Sequence, residues 1–416
     1  MSSEWIFAPL ENCLDALIDY RGKTPEKTSA GIPLITAKII KGGRIEKPTE
    51  FIAADNYDSW MRRGIPQEGD VVLTVEAPLG EVAQLGPEKI ALAQRVVTLR
   101  GKKGILDNSY LLYLLQTEEM LEQLKSRATG TTVLGIKQSE LRKVPLSLPP
   151  INQQKTAAQT LKTLDDRISL LRDTNATLEA IARALFKSWF VNFDPVRAKV
   201  EGLEPEGMDA ITAALFPDSF EESELGLVPR GWRVGQIGDE LRIAYGKNLP
   251  TTRLLEEGFP VFGGNGQIGF FSEYLYESRQ VIVACRGAAS GKINQSSPKA
   301  FVTNNSLILE KTKNLPFSYL KGFMKNSDLV PYVTGSAQPQ VTIDNLKVFK
   351  ILVPTESVVT CFESIAGLIE DQIEQNNCQA QTLTQLRDTL LPRLISGQLL
   401  LPEVEASVEN MLSEAV

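Results

Sequence analysis

Histidine is absent from all 416 residues. That absence removes Ser-His-Asp and Cys-His catalysis together with most zinc sites, so any chemistry here would rest on carboxylates, lysines, tyrosines or a partner. Cysteine is scarce: Cys13, Cys285, Cys361 and Cys378 are too far apart for a C-x-x-C metal or redox pair and too few for a disulfide scaffold, which leaves plain thiols. No stretch of about 18 apolar residues is long enough to span a bilayer, and the N-terminus lacks a charged-then-apolar signal. With 43% hydrophobic and 23% charged residues, the expectation is a globular protein of several domains in the cytoplasm.

Net positive charge is also missing, since the chain carries -7 overall. Its distribution is uneven, however. Residues 1–150 hold 19 basic and 19 acidic groups, 151–200 hold 8 and 5, and 231–355 hold 14 and 9, whereas 201–230 hold 1 and 8 and 356–416 hold 2 and 10. The excess acid lies outside the β-rich parts, which leaves room for a basic face on each of them.

Catalytic motifs are lacking as well. Gly264-Asn265-Gly266-Gln267-Ile268-Gly269 fits G-x-G-x-x-G, but Phe270-Phe271-Ser272 follows where a helix start is needed, so a turn is expected. Gly287-Ala288-Ala289-Ser290-Gly291-Lys292-Ile293 has three residues between glycines rather than four, and Ile293 stands where a P-loop needs Ser or Thr. It reads as a basic Gly-rich loop able to approach a phosphate through backbone N–H groups. The sole Pro-Pro, Pro149-Pro150, has neither flanking group of an amino-methyltransferase loop, and no Glu-x-Lys or Asp-x-Lys pair suggests a nuclease.

What the chain does contain is a long heptad. Leu161, Leu164, Ile168, Leu171, Leu178, Ala182, Leu185 and Trp189 alternate by three and four, with Asn175 as the polar seam position. A helix of that pattern presents a narrow apolar stripe best buried against another such stripe. The second stripe lies 205 positions on, as Ala366, Ile369, Ile373, Asn376, Ala380, Leu383, Arg387, Leu390 and Leu394. The same offset carries Thr129-Gly130 to Thr334-Gly335, Ile136 to Val341, Leu141 to Leu346 and Pro149 to Pro354. The chain is therefore two copies of one plan. With slightly shifted spacing, Ile32-Pro33-Leu34 matches Phe259-Pro260-Val261, Val71-Val72-Leu73 matches Val281-Ile282-Val283, and residues 95–99 match 305–309. Short β-rich runs and a helix over 110–126 fill the first copy, and the acidic stretch 201–230 reads as a linker with a short helix around 208–215.

Residues 178–199, LEAIARALFKSWFVNFDPVRAK, carry the most specific signal in the sequence. With Leu148-Pro149-Pro150, Gln153-Gln154, Leu215-Phe216-Pro217, Pro229-Arg230-Gly231-Trp232 and residues 390–397, they make the chain resemble the DNA-specificity subunit of type I restriction-modification systems. The resemblance implies an α+β fold: two α/β target-recognition domains in tandem pseudo-repeat, separated by two long helices packed as an antiparallel coiled coil. In those terms residues 1–150 and 231–355 would be the recognition domains and 151–200 and 356–400 the helical spacers. Residues 201–230 would be the linker, and 401–416 an acidic tail. The polar seam residues Asn376 and Arg387 depart from a clean distal heptad.

The resemblance further implies a non-catalytic subunit that reads a bipartite, asymmetric site on double-stranded DNA. Two methyltransferase and two restriction subunits would assemble on it, and S-adenosylmethionine, ATP and Mg would be bound by those partners. Residues 161–189 would span about 43 Å at ~1.5 Å per residue, a little over one turn of B-DNA, so that helix length sets the spacer. Side chains suited to base edges are Lys38, Arg44, Arg62, Arg63, Arg127, Thr131 and Lys137 in the first copy. In the second they are Lys247, Asn265, Arg286, Lys292, Gln338 and Gln340. The loops 129–136 and 334–341 hold the equivalent points just before each helix. The scaffold residues are Leu161, Leu164, Ile168, Leu171, Asn175, Leu178, Leu185, Trp189, Ile369, Ile373, Leu383 and Leu390. An orphan specificity subunit of a modification-only system, a pure coiled-coil scaffold, or a self-sufficient DNA-modifying enzyme are the rival readings.

Overall fold

In the computed structural model, residues 5–130, 132–310, 315–335 and 338–399 are described. They divide into two compact units, Met1–Leu170 with Gln379–Val416, and Leu171–Cys378. Thr131 and the 401–416 tail lie outside the described residues.

The first unit is built on an antiparallel sheet in the order Leu14–Asp19, Val96–Gly101, Val71–Val75, Leu79–Gln84. All five residues of Val71–Val75 are buried, as expected of a β-branched run inside a sheet. A smaller sheet sets Ile32–Ile35 between Phe51–Ile52 and Ala91–Leu92, the latter pair being parallel. Helix Asn108–Leu115 packs against the main sheet; the Asp107 carboxylate caps it by accepting from the Ser109 and Tyr110 amides. Helix Glu118–Ser126 follows, capped by Thr117. Ile6–Pro9 pairs with Pro145–Leu148 and closes the unit.

The second unit repeats both of these sheets and the closing strand pair. Its main sheet runs Arg242–Tyr245, Ser306–Glu310, Val281–Ala284, Ile293–Gln295, and its smaller sheet sets Phe259–Gly263 between Gly266–Phe271 and a parallel Phe301–Val302. Register repeats too: Val97 faces Leu73 in the first unit and Leu307 faces Val283 in the second. Arg233–Gln236 with Lys350–Val353 takes the closing role. The acidic stretch 201–230, expected as a linker, is folded. Helix Ala210–Ala214 and the hairpin Phe220–Ser223/Gly226–Pro229 bring Phe216 and Val228 into the apolar core, while Lys199 Nζ ties the stretch down through the Ala213 and Phe216 carbonyls.

Both long helices contribute to both units, one over Ile151–Lys187 and the other over Glu356–Ile395. They pack antiparallel: in the second unit Asn175 meets Asn376, while further along the first helix and further back along the second, Phe190 meets Phe362 with ring centroids 5.0 Å apart. The first helix ends in a π-helical turn, Ser188–Asn192, and Phe193 stops it with a left-handed φ of 58°.

Candidate nucleic-acid interface

Each unit hangs one loop off the same place in its main sheet. In the first, Thr129 and Gly135 exchange two backbone hydrogen bonds of 2.9 Å, and the next residue, Ile136, donates to Val75 O at 3.0 Å. In the second, Thr334 and Gln340 exchange two of 2.8 Å, and Val341 donates to Cys285 O at 3.1 Å. Both loops start Thr-Gly because the glycine adopts a left-handed φ, 118° at Gly130 and 90° at Gly335. A Cβ there would sit 2.1 Å from Val133 O and 2.5 Å from Gln338 O respectively, so the turn closes only without a side chain.

In the second unit the backbone ties Arg286 and the turn before Lys292 to this loop. Arg286 bridges Gln340 across an antiparallel pair. Ser290 Oγ and the Gly287 amide both donate to Pro339 O, so the Gly-rich turn that carries Lys292 is fastened to the same loop. Lys247 O accepts from Asn304 N, and the Cys285 amide donates to the neighbouring Asn305 O. Asn265 sits at the tip of a hairpin whose Gly264 O accepts from Asn294 Nδ2 at 2.6 Å. Lys247, Asn265, Arg286, Lys292, Gln338 and Gln340 are all exposed. The Gly264–Gly269 run is thus a hairpin tip, with Gly266 at φ 123°, and no helix follows it to receive a pyrophosphate.

The first unit gathers fewer of its candidates. Arg63 Nη1 donates to Arg21 O at 2.6 Å, and Arg21 Nη1 donates to Ile136 O at 2.6 Å, which joins Arg63 to the loop and to exposed Lys137. Arg21 itself is aligned by a bidentate pair with Asp19, Nε donating to Oδ1 and Nη2 to Oδ2. Arg62 and Lys38 are exposed. Arg127 is turned back to its own helix, with Nη1 donating to Gln123 O. Arg44 is also turned away, its Nη2 donating 3.2 Å to Asp165 O on the long helix, because the short hairpin Ile40–Lys41/Arg44–Ile45 lies beside that helix.

Sequence reasoning missed Arg95, Arg21 and Glu76 in the first unit and Asn294, Asn304 and Asn305 in the second. Val75 N donates to Arg95 O at 3.0 Å as Cys285 N does to Asn305 O at 2.9 Å, so the alignment of 95–99 with 305–309 already held the signal for Arg95 and Asn305.

Along the helices, Leu161, Leu164, Ile168, Leu171, Ile373, Leu383 and Leu390 are buried, and Leu178, Leu185 and Ile369 half-buried. Glu370 is buried beside Ile369, and its Oε1 accepts from Lys321 Nζ at 2.6 Å. Trp189 belongs to an aromatic cluster in the second unit's core, edge-on to Phe216 at 5.0 Å. The polar seam residues are satisfied. Asn376 Nδ2 donates to Asn175 Oδ1 at 2.7 Å, Asn175 Nδ2 donates to Asn377 Oδ1 at 2.9 Å, and Arg387 Nη1 donates to Asp165 Oδ1 at 2.7 Å. Tyr113 donates to the other Asp165 oxygen at 2.9 Å, and burial first, then that carboxylate, pushes its phenol well above the usual tyrosine range. Among the described residues no group of His, Cys, Asp or Glu is gathered to hold a metal ion, and no helix is long and apolar enough to cross a membrane.

A family model described as the type I restriction modification DNA specificity domain matches residues 21–180 and 229–360, one match falling on each repeat. The type I restriction enzyme MjaIX specificity subunit of Methanocaldococcus jannaschii is 25% identical over 362 residues, covering 81% of this chain and 79% of that protein. The HindI specificity subunit of Haemophilus influenzae is 24% identical over 382 residues, covering 75% and 82%. The crystal structure of a type I restriction-modification S subunit from M. genitalium has a TM-score of 0.60 at 20% identity, covering 94% of this chain and 96% of that one, a likeness of fold.

Proposed function

The chain belongs to the type I restriction-modification DNA specificity family, and from that premise we propose that it reads a bipartite, asymmetric target on double-stranded DNA, one half-site per unit. The observation that carries the reading is the duplicated loop. The same backbone device, closed by Thr129 and Gly135 in one unit and by Thr334 and Gln340 in the other, displays different side chains in each. A shared scaffold with unlike tips suits two unlike half-sites, since phosphate contacts position a reader and base contacts specify the sequence.

Exposed Lys247, Arg286 and Lys292 in the second unit, and Arg63 and Lys137 in the first, supply cations for the phosphates and for guanine, while Asn265, Gln338 and Gln340 supply amides for adenine. The helix pair serves as the spacer and as the platform for two methyltransferase and two restriction subunits. Exposed apolar side chains on the helices support docking there, Leu368 at 70% exposure and Ile181 at 50%. S-adenosylmethionine, ATP and Mg belong to those partners in this reading.

Removing one heptad from each long helix, so that the antiparallel pairing stays in phase, tests the reading. The recovered target is expected to keep both half-sites and to lose bases between them. Altered half-sites at an unchanged spacing would contradict it.

A further inference from the structure

Glu76 and Arg286 occupy one and the same place in the two units, and they carry opposite charge. The residue before each has its amide bonded to the matched strand, Val75 to Arg95 O and Cys285 to Asn305 O. The same residue accepts from the end of the loop, Val75 O from Ile136 and Cys285 O from Val341. Glu76 then bridges Gly135 in antiparallel fashion, as Arg286 bridges Gln340. In both units the following residue turns left-handed, Ala77 at φ 50° and Gly287 at φ 73°. Four backbone relationships therefore put the two Cβ atoms at equivalent points, on the strand end that abuts the loop.

Folding does not require either charge at that point. Arg286 is exposed and Glu76 half-exposed, and among the described residues neither side chain makes an ion pair. A carboxylate close to DNA is repelled by the phosphates and gains only from a donor on a base edge; the major groove offers the amino groups of cytosine and adenine, and the N7 acceptor beside the adenine amino group repels a carboxylate, which favours cytosine. A guanidinium at the same point forks onto O6 and N7 of guanine. Resting on the DNA-reading function above, we propose that residues 76 and 286 are the matched specificity-determining positions. Glu76 accepts from a cytosine amino group in one half-site, and Arg286 grips a guanine in the other.

The test uses the full chain assembled with its methyltransferase partner, and duplexes are recovered from a random pool by the wild type, E76Q and R286Q. R286Q is expected to lose its guanine preference at one position of one half-site and to bind the wild-type sequence about ten- to a hundredfold more weakly. E76Q is expected to lose a cytosine preference at one position of the opposite half-site. In each variant the untouched half-site reports that the protein is folded. A wild-type bipartite motif left unchanged by both variants would overturn this assignment while leaving the DNA-reading function standing. A wild type that recovers no motif would overturn both.

Discussion

Asn376 donates from Nδ2 to Asn175 Oδ1 across the paired helices at 2.7 Å, and both side chains are buried. The bond is extended on both sides, since Asn175 Nδ2 reaches Asn377 Oδ1 and the Ile373 carbonyl while Gln372 donates to Asn376 Oδ1. A polar pair inside an apolar seam is satisfied in one register only, because a slip by a heptad would bury each amide against leucine or isoleucine.

Replacing one member alone should therefore cost more than replacing both. N376L strands the Asn175 oxygen and is expected to destabilise the chain by about 1–3 kcal/mol, whereas N175L/N376L is expected to recover most of that loss. Chemical denaturation of the two singles and the double gives the coupling directly. Additive losses would mean that the two amides do not act as a pair.

Arg387 is the second polar residue in the distal seam, and it is fixed from two sides, by Asp165 at 2.7 Å and by Asp388 at 2.7 Å. R387M leaves Asp165 facing Tyr113 without its cation. A loss of about 1–3 kcal/mol is expected, against little change for D388N, whose carboxylate is mostly exposed. Thermal melts of both variants check the contrast.

Gly130 and Gly335 close their loops in a conformation that a side chain strains. G335A is expected to cost about 1–3 kcal/mol at most while blurring one half-site only, and G130A the other. Sequence recovery from random duplexes reads this out, and simultaneous loss of both half-sites in either variant would argue against separate readers.

Lys292 rides on the Gly-rich turn beside the second loop and suits a phosphate better than a base. K292A should weaken binding to all sequences alike and reduce the slope of log K against log salt by about 1. A change in sequence preference with an unchanged slope would assign Lys292 to base reading instead.

The repeat and the helix pair were legible in the sequence because burial imposes a period. Leu161, Leu164, Ile168 and Leu171 alternate as a seam must, and each is buried. What the period could not show is rotation at the ends. Ile369 yields part of its buried place to Glu370, which Lys321 neutralises, and Trp189 leaves the seam for the aromatic core around Phe216 and Phe362. Polar seam positions were equally opaque, since Asn376 and Arg387 look like faults until their partners, far apart in sequence, are in view. At the interface, residue type alone singled out Arg44 and Arg127, yet each is spent on a carbonyl. Glu76 gives no signal of its own in the sequence, since a carboxylate is an unpromising DNA ligand, and only the backbone match to Arg286 marks its position.

In this reading the chain confers a two-part target on its enzyme. Mapping adenine methylation across the genome of cells that express the cognate methyltransferase subunit, with and without this chain, tests it most directly. The account predicts a bipartite motif, two half-sites separated by unread bases, that is methylated only when the chain is present. An assembled, active methyltransferase whose methylation pattern is the same with and without the chain would contradict it.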